Sequence, residues 1–103
     1  MGTADVVLTR FTQLELLQAS RDEREWRLLF EHLEGQRYVE MTPRTWPEAA
    51  RIYFDLRRAR KTVRSPIDCC IAQLAIEHDC ELLHCDSDFE TIATIRNLKQ
   101  RRL

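Results

Sequence analysis

The chain has 103 residues, enough for one small domain, which at this size buries roughly two-thirds of the surface its unfolded chain exposes. Hydrophobic residues make up 44% and charged residues 32%, as in a soluble globular protein, and a net charge of −1 carries no information about nucleic acid. Two glycines and three prolines leave no room for a linker or low-complexity tract. No window approaches the roughly 18 consecutive apolar residues of a membrane span. The start, Met1-Gly-Thr-Ala-Asp5, lacks the basic-then-apolar order of a signal peptide, so a cytoplasmic protein is expected. Cysteines at 69, 70, 80 and 85 form no C-x-x-C pair and no zinc spacing, and are read as reduced, small apolar residues.

Val6-Val7-Leu8 is an apolar, β-branched run and is read as a buried parallel strand, followed by a short helix around Thr12 to Ala19. Ser20-Arg-Asp-Glu23 has the form of a capping box and opens a helix with Trp26, Leu29, Phe30 and Leu33 on one face, ended by Gly35. Arg37 to Met41 reads as a second strand. Thr45-Trp-Pro-Glu48 is a second capping box, and the helix behind it should turn Trp46, Ala49, Ala50, Tyr53 and Leu56 inward and end near Arg60. Ser65-Pro66 starts a helix that should bury Ile67, Ile71, Leu74 and Ala75. Glu81-Leu-Leu-His-Cys85 is a third strand. An acidic turn, Asp86-Ser-Asp88, leads into a short helix through Ile92, and a small last strand is expected around Ile95 to Leu98, before a basic tail. Strands alternating with helices imply a parallel sheet covered on both faces, with ligands bound outside the carboxyl ends of the strands.

That rule singles out a few of the seventeen acidic residues. Asp86 and Asp88 directly follow a strand, where they either cap the next helix or serve a site. Asp68 lies in the first turn of the Ser65-Pro66 helix, where an acid complements the helix dipole and can complete a cap with Ser65; the apolar Cys69-Cys-Ile-Ala72 behind it would hold a ligand rigidly. Glu15 interrupts Leu14, Leu16 and Leu17, either as a solvent-facing helix residue or as an acid at a strand's carboxyl end. Clustered carboxylates repel one another unless a divalent cation intervenes, and hard oxygen ligands select magnesium or manganese, ions that can activate water for attack on a phosphodiester.

Two basic clusters, one of Arg57, Arg58, Arg60, Lys61 and Arg64 and one of Arg96, Lys99, Arg101 and Arg102, are either solvated surface or contacts for a nucleic-acid backbone. Other chemistries lack support. No serine has a nucleophile-elbow context, no phosphate-binding glycine loop is present, and His32, His78 and His84 have no metal spacing, His84 being read as a strand residue.

Ser65-Pro-Ile-Asp68-Cys-Cys-Ile-Ala72 followed by Leu82-Leu-His-Cys-Asp86-Ser-Asp88-Phe89 resembles the carboxyl half of PIN domains, and Thr12-Gln-Leu-Glu15-Leu-Leu resembles the helix that carries that family's glutamate. The order and spacing of the three motifs carry the resemblance, which is nearest to VapC-type toxins. It implies a metal-dependent endoribonuclease with Mg2+ or Mn2+ on Glu15, Asp68 and Asp86 and supported by Asp88. It also implies a homodimer, an RNA substrate and a VapB-type antitoxin partner. The family's pattern opens with an apolar strand ending in aspartate, whereas Ala4 to Thr9 here matches a later strand, and Asp5 precedes its strand. The expected fold is therefore a single PIN-like three-layer α/β/α domain over residues 1–103 with a parallel sheet, N-terminally truncated, without the central first strand and its aspartate. A non-catalytic PIN remnant that binds an antitoxin or a full-length toxin is the alternative.

Overall fold

Five helices and parallel strand pairing make up the described part of the computed structural model, residues 6–103. The chain divides into two units, Met1–Glu40 and Met41–Leu103. Ala4 and Asp5, on which part of the first strand's reading falls, lie outside the described residues.

In the first unit, helix α1 (Arg10–Gln18) starts at Thr9, whose Oγ1 accepts from the Thr12 N–H at 3.1 Å. The two strands expected before and after the helices reduce to one parallel bridge between Leu8 and Tyr38. The Leu8 N–H donates to Arg37 O at 2.8 Å and the Val39 N–H to Leu8 O at 2.9 Å. Neither segment has a second strand neighbour among the described residues, and a two-stranded pairing alone is marginal. Helix α2 (Glu23–Glu34) is capped by Asp22, which accepts from the Glu25 N–H at 2.8 Å, while Glu25 Oε1 accepts from the Arg21 N–H at 3.3 Å. The expected Ser20–Glu23 box is thus displaced by two residues: aspartate caps as well as serine does, and Ser20 Oγ is buried without a partner. Trp26 and Phe30, one turn apart, stack with ring centroids 5.1 Å apart, Leu33 is buried, and Gly35 ends the helix as expected.

In the second unit, α3 (Thr45–Arg58) packs on α4 (Pro66–Glu77). The Thr45–Glu48 box does not form. Thr45 is already the first helical residue and fully buried; its Oγ1 accepts from the Thr42 N–H at 3.0 Å and donates to Glu77 Oε1 at 2.8 Å. A buried hydroxyl needs such partners, and the helix presents to the core the face on which Thr45 lies. Ala49, Ile52 and Leu56 become the inner stripe, while Trp46 is 60% exposed, Ala50 is exposed and Tyr53 is half-buried. The α4 stripe is likewise shifted: Cys69, Cys70, Ala72, Leu74 and Ala75 are buried, Ile71 is half-buried and Ile67 faces out. Cys80 is half-buried and Cys85 exposed, so only Cys69 and Cys70 act as core residues.

Both helices end through a left-handed residue that is not glycine. After α3, Arg60 (φ 60°) lets the Lys61 N–H reach Leu56 O at 2.8 Å; after α4, Asp79 (φ 52°) lets the Cys80 N–H reach Ala75 O at 2.8 Å.

Strand β1 (Leu82–His84), helix α5 (Ser87–Ala93) and strand β2 (Gln100–Arg102) form a parallel crossover unit, with Leu82 opposite Gln100 and His84 opposite Arg102. The last strand falls in the basic tail, not at 95–98. There the backbone is committed to tight turns: the Ile95 and Arg96 N–H groups donate to Ile92 O, and the Leu98 N–H donates to Arg96 O. No helix among the described residues is long and apolar enough to cross a membrane.

Candidate metal centre

Asp68 reaches the site from the first turn of α4. Ser65 caps that helix by accepting from the Ile67 N–H at 3.1 Å, and Pro66 suits its first turn, so the Asp68 backbone is fixed by local chemistry. Asp86 and Asp88 arrive from the turn between β1 and α5. Asp86 is the α5 N-cap, and its Oδ1 accepts from the Asp88 N–H at 2.9 Å. The three residues each offer a carboxylate oxygen, and these oxygens lie within 4.8 Å of one another.

His84 supports the turn from beneath. Its Nδ1 accepts from the Asp86 N–H at 3.1 Å, which leaves the proton on Nε2, and Nε2 donates to Gln100 Oε1 at 2.6 Å. The ring is buried and lies against Phe89, with centroids 5.2 Å apart. His84 lies in β1, as its sequence context implies, and its bonds to the Asp86 N–H and to Gln100 give it a supporting part that the sequence does not show.

Arg64, which the sequence shows only as one member of a basic run, touches two of the three acids. Its backbone N–H donates to Asp88 Oδ2 at 3.0 Å, its Nε lies 3.5 Å from the same oxygen, and its terminal nitrogen pairs with Asp86 Oδ2. Its position directly before the Ser65 cap is the one sequence signal that could have found it.

The acids divide one proton unequally. Burial pushes the Asp68 carboxyl up to about 7, reinforced by its hydrogen bond to Asp88 and by the charges of Asp88 and Asp86, against the pull of Arg64. Burial also works against the charged form of Asp88. The Arg64 backbone N–H, the Asp68 hydrogen bond and the Arg64 guanidinium outweigh it and hold the Asp88 carboxyl below the ordinary carboxylate range. Asp68 is thus the proton carrier and Asp88 the anion of the pair.

Glu15 is exposed on α1 in the first unit, and the grouped acids of the described residues do not include it. The second basic cluster is spent within the molecule: Arg96 pairs with Asp55 at 2.8 Å, Lys99 with Asp79 at 2.6 Å, Arg101 with Glu81 at 3.2 Å and Arg102 with Glu90 at 2.8 Å.

Residues 2–95 match the PIN domain family. The chain belongs to the PIN domain family. Over 51 residues it is 55% identical to the VapC ribonuclease Mb1587 of Mycobacterium bovis and to the ribonuclease VapC11 of Mycobacterium tuberculosis. That segment is 50% of this chain and 38% of each relative, so the match spans well under half the length of these VapC proteins. Two solved structures share the fold. VapBC2 from Rickettsia felis bound to a DNA fragment from its promoter has a TM-score of 0.75 at 14% identity, covering 96% of this chain and 75% of that one. VapBC-5 from Mycobacterium tuberculosis has a TM-score of 0.73 at 20% identity, covering 95% and 82%. The mixed α/β PIN domain, with its parallel pairing, agrees with the architecture the sequence implies.

Three carboxylate oxygens this close are a donor set that a hard divalent cation fits. Burial first, and then the neighbouring Asp88 and Asp86, raise Asp68, while the guanidinium lies on Asp86 and Asp88 as a positive charge among the acids, a place a divalent ion would also suit.

Proposed function

We propose that this PIN domain is a VapC-type endoribonuclease in which Asp68, Asp86 and Asp88 hold Mg2+ or Mn2+. The observation that carries the reading is the convergence of these three carboxylates from α4 and the β1–α5 turn. When bound, the cation supplies Lewis-acid stabilisation of charge on a phosphodiester and lowers the pKa of water. The chain's own part is positional. Asp86 would offer the cation the carboxylate oxygen that capping leaves over, His84 holds the backbone of that turn, and in the metal-free site Asp88 stays anionic because Arg64 and Asp68 donate to it. To serve as a ligand, Asp68 would have to release the proton it carries in the metal-free site.

Glu15 is assigned a ligand role by the family resemblance alone, and Glu15→Gln tests it separately. The VapBC complexes of the same fold support a VapB-type antitoxin as the partner, and a homodimer is proposed from the resemblance. The deciding experiment is Mn2+ calorimetry on the purified chain and on Asp68→Ala, followed by metal-dependent cleavage of a structured RNA. Binding and cleavage in the parent, both lost in Asp68→Ala, are expected; cleavage unchanged by Asp68→Ala removes the assignment. Antitoxin binding without cleavage, unaffected by Asp86→Ala, marks the non-catalytic alternative.

A further inference from the structure

We propose that the Arg64 guanidinium is a built-in stand-in for the divalent cation, seated on Asp86 and Asp88 when the metal is away and displaced when it binds. The inference rests on the metal reading above and adds an element of regulation to it.

Arg64 holds the acids by two separable attachments. Its backbone N–H donates to Asp88 Oδ2 at 3.0 Å, a contact independent of the side chain. Its guanidinium bridges Asp86 Oδ2 and Asp88 Oδ2, oxygens of two of the three carboxylates that lie within 4.8 Å of one another. A cation held by those oxygens and this guanidinium satisfy the same lone pairs, so the two compete. The Arg64 side chain is 76% exposed, whereas those of Asp86 and Asp88 are 25% and 9% exposed. Leaving the seat therefore returns a mostly solvated side chain to water, at the modest cost of a surface ion pair. The acids stay in place, because the Ser65 cap, the Asp86–Asp88 turn, the His84 contact and the Arg64 backbone bond do not involve the guanidinium.

The arrangement offsets the negative charge of the acids without metal and sets a threshold of metal concentration for loading the site. Removing the guanidinium also removes a positive charge that repels the incoming ion, so both effects act in one direction: Arg64→Ala binds metal more tightly.

The test is Mn2+ calorimetry at pH 8 on the full chain, with circular dichroism confirming that each variant is folded. Arg64→Ala should bind about two- to fivefold more tightly than the parent, the range set by a solvent-screened ion pair. Arg64→Lys, which keeps the charge and loses the planar fork, should fall between them. Arg57→Ala, a loss of equal charge from the same basic run, should match the parent. Binding by Arg64→Ala where the parent is silent also supports the proposal. Equal or weaker binding by Arg64→Ala overturns it and leaves the metal reading standing, as does an equal gain in Arg57→Ala. Silence of both the parent and Arg64→Ala overturns the metal reading, and this inference with it.

Discussion

Replacing Asp68 with asparagine should make the metal-free protein more stable at pH 8 while abolishing its stabilisation by divalent ions. Asp68 sits at the first turn of α4, half-buried beside Asp86 and Asp88, and its carboxyl is pushed up from 3.8 to about 7, chiefly by burial. Between those two values the folded chain retains a proton that the unfolded chain has released. Stability therefore falls as pH rises from about 4 to about 7 and stays at its lower level above that. Taken at face value, the rise corresponds to roughly 4 kcal/mol at 1.36 kcal/mol per pH unit. Water reaching a half-buried group screens much of this, and the α4 dipole favours the charged form, so the net penalty at pH 8 is put at about 1–2 kcal/mol.

Asparagine resembles the protonated acid: its amide N–H can still donate to Asp88, and it cannot ionise. In urea titrations with chelator present, Asp68→Asn should match the parent near pH 4 and gain about 1–2 kcal/mol at pH 8, a rise in melting temperature of roughly 5–10 °C for a domain of this size. Added Mn2+ should then raise the melting temperature of the parent and not of the variant. An asparagine variant no more stable than the parent at pH 8, or one whose gain is the same at pH 4, refutes the electrostatic account of the site.

Because metal must displace the proton on Asp68, Mn2+ affinity should rise about tenfold from pH 6 to pH 8, with about one proton released per ion at pH 6. Calorimetry in buffers of different ionisation heat measures this, and pH-independent affinity contradicts it. Arg60→Gly should raise the urea midpoint by about 0.5–1 kcal/mol in free-energy terms, because glycine takes the left-handed conformation that Arg60 (φ 60°) adopts under strain; a loss shows that the arginine side chain contributes more than the backbone strain removes. Thr45→Val should destabilise by about 0.5–1.5 kcal/mol, since the buried Thr45 hydroxyl no longer accepts from the Thr42 N–H or donates to Glu77, residues that are themselves exposed. An unchanged midpoint would mean that water replaces both contacts.

Periodicity located the helices and misjudged their faces wherever a polar group had a distant partner. Thr45 reads as a cap because threonine before Pro47 and Glu48 usually is one; its bond to Glu77, thirty-two positions on, is invisible to a local pattern. With Thr45 inward, Ile52 falls on the buried face of α3 and Trp46 on the exposed one. The α2 cap was ambiguous for a different reason: Ser20 and Asp22 are both good caps, and only the placement of Trp26, Phe30 and Leu33 chooses between them. The last strand was hidden because Gln100, Arg101 and Arg102 are polar. Strand pairing there rests on backbone bonds to β1 and on ion pairs to Glu81 and Glu90, none of which produces an apolar alternation.

The acidic site was legible for the opposite reason, since its residues do local and distant work at once. Asp86 could be a helix cap or a site residue on sequence grounds, and the structure makes the two compatible. Oδ1 is taken by the Asp88 N–H, which fixes the rotamer, and Oδ2 is left to face a cation, the place where the Arg64 guanidinium lies. Asp68 likewise belongs to a capped first turn, yet its carboxyl is turned to Asp88 while Ser65 serves the backbone. A carboxylate has more acceptor capacity than one cap consumes. Capping therefore holds an acid still at a helix start and leaves an oxygen free for other chemistry. The cap signal in the sequence is then a reason to look for a site, and what it cannot show is which cation takes the second oxygen; that depends on Arg64, two residues before the helix it does not belong to.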